Sequence, residues 1–464
     1  MGLADNYDVV VAGGGNAALC AAITAARAGR TVIVLEAAPK FYRGGNTRHT
    51  RNVRVAQAGA VEHMSGVYEP EEFYDDLQRV TDGQTDEALA RLTIERSAEL
   101  PHWLKEQGVL FGPPLGGTLS LGRTNAFFLG GGRGELNRLY RTAEALGITL
   151  LYDTPVTALQ IDNGFFLSAT VTHEGETQQI RGRSFVAAAG GFEANLELLK
   201  KYWGPAADNF LIRGTPFNRG DVLRMLLEKG VMAVGDPTQC HAVAIDARAP
   251  KFDGGIATRL DSIIFGIVVN RQAERFYDEG EDLWPKRYAI WGRLIAQQPG
   301  QIAYSIVDSK SFGLFMPSIF PALTAGSISD LAGKLELDPI ALEKTVSEFN
   351  HAVVDGTFDH TQLDDCRTNG LRVPKSHWAR RMDQPPYYAY PLRPGITFTY
   401  LGVKVSQEGR MVMSEGRASA NMFAAGEIMA GNVLGKGYLA GIGMTIGSVF
   451  GRVAGEGAAA HAAN

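Results

Sequence analysis

Cysteine is scarce in this chain. Its three cysteines, Cys20, Cys240 and Cys366, lie far apart and in no C-x-x-C spacing. That argues against a disulfide framework, a zinc site or an iron–sulfur cluster, so no metal is expected. No stretch of about 18 uninterrupted apolar residues occurs, and a membrane span is not expected. There is no dense basic run either. With 45 Lys+Arg against 50 Asp+Glu the formal net charge is −5, which leaves no electrostatic footprint for nucleic acid. Neither a basic leader nor a cleavable apolar segment precedes the strand-like run from Tyr7 to Ala12, and a reduced, cytoplasmic setting is expected. Internal repeats and low-complexity segments are also missing. What remains is an ordinary globular composition, 45% hydrophobic and 20% charged, over 464 residues. That length is large for a single core and predicts two domains.

The opening DVVVAGGGNAALCAAITAARAGRTVIVLE reads as strand, glycine turn, Ala-rich helix and strand, one βαβ unit with Gly29 ending the helix. Amphipathic helix is expected from about Glu71 to Gln107, and another after Gly130-Gly131-Gly132. Strands are expected in ITLLYDTPVTALQI, FFLSATVTHEG and QQIRGRSFVAAAGG. The texture changes after Gly235 and becomes Gly-rich and apolar again towards the C-terminus. The predicted fold is α/β: a Rossmann-type (GR2-like) cofactor domain formed by residues 1–235 and 386–464, with an α+β capping domain, 236–385, inserted in it.

Gly13-Gly14-Gly15-Asn16-Ala17-Ala18 is G-x-G-x-x-A between a strand and a helix. Gly13 permits the tight turn, Gly15 lets backbone approach a pyrophosphate, and Ala18 keeps the helix close to the strand. Glu36 ends the second strand about 20 residues on, where a carboxylate accepts from ribose hydroxyls. Asn16 and Ala17 open the helix that faces the phosphates. A glycine turn in an unrelated α/β protein would share the glycines but not the whole register.

The later segments distinguish FAD from NAD. Gly44-Gly45-Asn46-Thr47, continuing into Arg48 and His49, follows the acid-tipped strand where a loop can pass a pyrophosphate. Ala189-Gly190 and Ala425-Gly426-Glu427 end two further short strands at bare backbone, and Glu427 can hydrogen-bond a ribityl chain. Ile442 and Gly443 lie in a Gly-rich stretch opening a helix whose N-terminus can stabilise an anionic reduced ring. Val156 is also expected at the cofactor. An NAD domain does not need this C-terminal return, so the expected cofactor is FAD.

In carrying GGGNAA, GGNT, AAGGF and AAGE in order, the chain resembles the fumarate reductase and succinate dehydrogenase flavoprotein superfamily along essentially its whole length. Within it, RGGNTRHTRNVR, DGQTDEALARL, LGRTNAFFLGGG, ERFYDEGEDLWPKRYAIWGR and GKGYLAGIGMTIGSVFGRVAG look like the tricarballylate dehydrogenases. The resemblance implies a mobile cap and oxidation of tricarballylate to cis-aconitate, with hydride passing to flavin N5. It also implies electron transfer to a separate membrane-associated iron–sulfur and haem protein, which would hold the cytoplasmic chain at the membrane periphery.

The resemblance also implies site residues. Arg287, following the Arg275-Phe276-Tyr277-Asp278-Glu279 run, takes the proton-transferring position, with Lys286 behind it; pairing with the adjacent acidic stretch is the plainer role. His241 stands at a Q-x-H position and contacts a substrate carboxylate. Two positions depart from the fumarate reductase pattern: Phe398-Thr399 replaces a histidine-bearing run, and Gly435-Lys436-Gly437-Tyr438 replaces a late arginine. Thr399, Lys436 and Tyr438 are the expected substitutes, with Arg51 as a further cation. Arg259 and Asp261 lie only near the superfamily's relay positions. TRHT resembles the run through which succinate dehydrogenases bind FAD covalently, two residues out of register, so non-covalent FAD is expected. Alternatives are a corrinoid monooxygenase, a fumarate reductase, a 3-ketosteroid dehydrogenase and a non-enzymatic electron-transfer subunit.

Overall fold

The computed structural model describes residues 6–114, 121–252, 258–316 and 318–463. Two sheets organise them. The larger has the order Arg410–Val412, Ala418–Ala424, Glu176–Ala187, Asn6–Ala12, Val32–Leu35, Thr149–Leu151, with the hairpin of Val156–Asp162 and Phe165–His173 joined to Glu176–Ala187. Its centre is parallel: Val11 stands opposite both Val34 and Val186, and Phe423 opposite Val186. These strands are buried on both faces, which is why they read as continuous Val/Ile/Leu/Ala runs rather than alternating ones. The strand Ala418–Ala424 comes from the C-terminal part of the chain, so this domain draws on both ends of the sequence.

The helix Asn16–Arg27 packs along the long helix Ile442–Ala462. Gly447, Gly451 and Gly455 recur every four residues and therefore share one helical face. A Cβ on Gly451 would lie 2.6 Å from the Ala17 carbonyl oxygen, and one on Gly455 2.5 Å from that of Ala21. Small residues on both partners let the backbones touch. Of the expected helical stretch 71–107, the structure makes three helices, Pro70–Thr81, Glu87–Ser97 and Leu100–Glu106.

The second sheet has the order Cys240–Asp246, Tyr387–Thr399, Ala303–Asp308, Ile267–Val269, and Leu323–Ala325 and Leu211–Ile212 also pair with Tyr387–Thr399. The expected 236–385 insertion is therefore too narrow. Tyr387–Thr399, placed by sequence in the cofactor domain, is the central strand here, and Leu211–Ile212 joins it from before residue 235. A 13-residue strand can serve one sheet along its length and still deliver its C-terminal end to the other domain. The helices Ile328–Leu335 and Pro339–Ala352 bury Leu331, Leu335, Leu342 and Phe349 in a second core beside Ile267, Val269 and Ile306. No described helix is long and apolar enough to cross a membrane.

Candidate functional site

One long cavity runs from the tip of Val32–Leu35, past the start of the first helix, to the seam between the sheets. At its first end the wall is mostly backbone. Gly13 has φ +107°, and a Cβ there would lie 2.3 Å from the Ala188 carbonyl oxygen; only glycine fits. The helix beginning at Asn16 has no side-chain cap and no acid in its first turn. Its free N–H groups face the cavity, as an anion requires. The Asn16 amide donates to Thr47 Oγ1 at 3.0 Å, tying the Gly44–His49 loop over the turn. Glu36 accepts from the amides of Ala38 and Gly44 at 2.9 and 3.2 Å, and burial raises its carboxyl above the ordinary value. A Cβ on Gly14 would fall 2.4 Å from both Glu36 Oε2 and Tyr140 Oη. The second helix facing the cavity, Ile442–Ala462, follows Gly441 at φ +83° and has no N-cap side chain, its Gly443 amide being taken by Tyr438 Oη. Bare backbone, a carboxylate and an uncapped helix start, with a second helix start beside them, fit a dinucleotide carrying a pyrophosphate and a polar ring, which is FAD.

Of the expected cofactor residues, the cavity is lined by Gly13, Gly15, Asn16, Ala17, Glu36 and Gly44 through Thr47. His49, Val156, Ala189, Gly190, Glu427 and Gly443 line it as well. Three others do not. Ala18 and Ile442 are fully buried in helix packing, and Arg48 turns away to donate to the Phe41 carbonyl at 3.0 Å.

The other end is built from charged and aromatic side chains. Arg51, Arg213 and Arg259 line it with His241, Tyr288 and Tyr438. Arg259 pairs with Asp261 at 2.7 Å, Trp284 Nε1 donates to the other Asp261 oxygen at 2.7 Å, and the Arg259 guanidinium lies 4.9 Å from the Tyr288 ring centre. Arg213 donates to Thr397 Oγ1 at 3.2 Å. Arg51 has a buried Nη2 with no hydrogen-bond partner. Burial, then Arg259 and Arg213, lower its pKa to about 9, with Asp261 pulling the other way. A half-buried guanidinium with an unpartnered nitrogen in that position has donors to offer an anion.

His241 lies on the strand Cys240–Asp246, where the pairing register slips between His241 and Ala242 and re-aims the side chain. Its ring stacks on Tyr438 at 3.9 Å and 6°, and both ring nitrogens are buried without a partner. Burial first, then Arg213 and Arg259, push its pKa well below the ordinary value, so the imidazole is neutral. Tyr438 Oη accepts from the Gly443 amide at 3.1 Å, which links this end of the cavity to the helix start.

Three expected substrate or catalytic residues lie elsewhere. Arg287 sits on the turn Trp284–Arg287 and pairs with Glu281 at 2.9 Å. Pro285 and Tyr288, three apart and hence on one helical face, are the residues that reach the cavity; Arg287, about 100° round, does not. Its neighbour Lys286 pairs with Asp76 at 2.5 Å. Lys436 points outward to Asp82 at 3.1 Å. Gly435 and Gly437 press their backbones against Gln84 and Val80, pinning the loop so that Tyr438 turns inward instead. Thr399 donates its amide and hydroxyl to Glu427 at 2.8 and 3.1 Å, and so supports a cofactor residue. Arg213 and Tyr288 carried no local motif, and Arg259 was legible only as near a relay position.

Comparison with known proteins gives the same frame. The chain is 28% identical over 98% of its length to an NADH:fumarate oxidoreductase of Klebsiella pneumoniae (strain 342), of which it spans 48%. It is 27% identical over 99% of its length to a probable fumarate reductase of Shewanella frigidimarina (strain NCIMB 400), covering 76% of that protein. The chain thus spans about half the length of the Klebsiella relative. Its fold superposes on the open conformation of a flavocytochrome c3 fumarate reductase with a TM-score of 0.77 at 24% identity, covering 100% of this chain and 80% of the other. The family model described as FAD binding domain matches residues 8–444, and the chain belongs to that family.

Proposed function

We propose that this protein is a FAD-dependent oxidoreductase acting on a CH–CH bond of a small polycarboxylate, and that tricarballylate, oxidised to cis-aconitate, is its substrate. The observation that carries the reading is the set of three arginines, Arg51, Arg213 and Arg259, at the end of the cavity beyond the cofactor cradle. A guanidinium can bind a carboxylate through paired N–H donors, and three of them, with one charge offset by Asp261, suit a polycarboxylate. An apolar sterol would leave the buried Arg51 Nη2 without a partner. The names of the relatives, fumarate oxidoreductase and fumarate reductase, support carboxylate chemistry at a C–C bond.

FAD, when bound, supplies the hydride acceptor. The protein's own residues bind, orient and exchange the proton. Asp261 and Trp284 hold Arg259 in place, and Tyr288 gives its guanidinium an aromatic face. His241 is a neutral base, kept weak first by its burial and then by Arg213 and Arg259. Carboxylates bound to those arginines cancel that charge and raise its basicity when substrate is present. We assign the departing proton to an unpartnered His241 ring nitrogen, in place of Arg287. Electrons then leave to a separate membrane-associated iron–sulfur and haem protein.

Anaerobic mixing of the flavin-loaded protein with tricarballylate, succinate, citrate and a 3-ketosteroid tests the reading. Bleaching of the flavin band by tricarballylate, with cis-aconitate formed, is expected. No bleaching by any carboxylate would discard the substrate class and leave the FAD site standing.

A further inference from the structure

Behind the cofactor wall two carboxyl groups face each other with no cation between them. Glu193 is fully buried, on the loop that follows Gly190 and Gly191, and Glu427 lines the cavity. Glu193 Oε1 accepts from Asn46 Nδ2 at 2.5 Å and from Asn218 Nδ2 at 2.6 Å. The Asn46 amide cannot be turned round, because its oxygen accepts from the Thr215 amide at 3.1 Å and its nitrogen also donates to the Thr397 carbonyl at 2.8 Å. Glu193 Oε2 is buried and has no hydrogen-bond partner among the described residues, and the Glu427 carboxylate lies within hydrogen-bonding reach of the Glu193 carboxyl. Two acceptor-only oxygens in buried contact require a proton between them.

Hydrogen bonding decides which residue carries it. Glu427 Oε1 accepts from the amide and hydroxyl of Thr399, at 2.8 and 3.1 Å, and the Gly191 backbone also donates to this carboxylate. A Cβ on Gly191 would lie 2.2 Å from that oxygen. Burial raises both carboxyls, Glu427 to about 7, but Glu427 Oε1 meets two Thr399 donors whereas Glu193 Oε2 meets none among the described residues, and that oxygen is the one left to carry the proton.

We propose that Glu193 carries a proton in the folded protein and donates it to Glu427, making Glu193 a positioning residue that fixes the Glu427 carboxylate towards the bound cofactor. Burial and the Glu427 charge both act on Glu193 in the direction that keeps it protonated. The other titratable groups nearby are Tyr438, on which the Glu427 charge acts, and Arg213, which reaches the same wall through Thr397. The proposal rests on the FAD site, but its proton can be located without the cofactor.

The sign of the pH effect follows. A carboxyl whose folded pKa is raised contributes its full stability below its unfolded pKa and loses it as pH rises through the folded one. Loss of the Glu193 proton would also set two buried carboxylates against each other at the cofactor wall, so FAD affinity should fall as pH rises through that loss. Glu193→Gln keeps an acceptor for Asn46 and Asn218 and a donor for Glu427, so it should hold FAD with a flat profile. Infrared difference spectra of the apoprotein, wild type minus E193Q, should show the loss of one protonated-carboxyl band at neutral pH. Should E193Q not fold, Glu427→Gln supplies a second reading, because a neutral acceptor shifts that same band. A band unchanged in either variant overturns the proposal. Failure of the wild type to bind FAD would instead refute the cofactor site, while the band still reports the proton's place.

Discussion

The two ends of the cavity are made by different means. At the cofactor end, the wall is mostly backbone, Gly13, Gly14, Gly15, Gly44 and Gly190 and the uncapped start of the first helix, joined by the carboxylates of Glu36 and Glu427. At the other end, Arg51, Arg213, His241, Arg259, Tyr288 and Tyr438 converge from six separate stretches of chain and act through side chains. The first end is shaped by glycines, and at Gly13 and Gly14 it leaves no room for an added atom. The second is selected by charge and is incomplete until an anion arrives. Each end should therefore fail in its own way, and substitutions can tell them apart.

The largest effect is expected at the cofactor end. In Gly13→Ala, the new methyl meets the Ala188 carbonyl oxygen at 2.3 Å, at a φ of +107° that a side chain rarely adopts. Strain of roughly 1–3 kcal/mol at such a residue adds to the clash. Purified protein should carry almost no flavin, read as the ratio of flavin to protein absorbance. Stoichiometric flavin in that variant would break the claim that shape governs this end.

Arg51→Gln should do the reverse, leaving flavin bound while substrate no longer reduces it efficiently. Removing one partner of a desolvated, hydrogen-bonded charge pair costs about 2–5 kcal/mol, so kcat/KM should fall roughly 30- to 4,000-fold. The same loss is expected for Arg259→Gln. An unchanged kcat/KM in both would show that charge does not select the ligand.

The same contrast explains what the sequence could disclose. A glycine cradle is local: G-x-G-x-x-A, the acid at Glu36, GGNT, AAGG and AAGE each lie within a few residues, and their order along the chain is their order in the site. The parallel strands and the paired helices follow from apolar runs and from glycines every four residues. The arginine cluster has no such spacing. Arg213 follows a two-residue strand, Arg259 faces Ile245 across an isolated bridge, and Tyr288 reaches the cavity because Pro285 sets the phase of a single turn. Lys436 and Tyr438 are two residues apart, and the backbone contacts of Gly435 and Gly437 decide which of them turns inward. Arg287 was one residue from the side chain that enters. The division at 386 misplaced Tyr387–Thr399 because a buried strand looks alike in either sheet.

A smaller effect tests the charge-poor character of the cofactor end from behind its wall. Glu135, on the helix Gly131–Ala145, is fully buried; one oxygen is within 2.9 Å of the Asn16 amide nitrogen once that amide is turned, and the other has no partner. Burial raises its carboxyl well above the ordinary value. Its contribution is therefore complete below the unfolded pKa, about 4.3, and is lost as pH rises through the folded one. Glu135→Gln should match the wild type in acid and exceed it on the alkaline side by about 1–3 kcal/mol, the cost of a buried unsatisfied group. Urea unfolding at several pH values reads this directly. Parallel pH profiles would mean that Glu135 is not held neutral.

The smallest effects are expected where cations were legible in the sequence but lie outside the cavity. Lys436 pairs with Asp82, with side-chain exposures of 36% and 73%, and Arg287 pairs with Glu281 at 24% and 34%. Water screens pairs of this kind, which contribute about 0–1 kcal/mol. Lys436→Met and Arg287→Ala should then keep turnover within about a factor of two, since neither side chain touches the site and a pair this weak shifts little else. Both variants carry the same change of charge as Arg51→Gln, so net charge alone cannot separate them from it. If either loses turnover as Arg51→Gln does, its side chain must enter the cavity when substrate binds, and the cationic end would include a residue brought in by movement of the second sheet's domain. If neither does, the anion is held by the arginines that already face it.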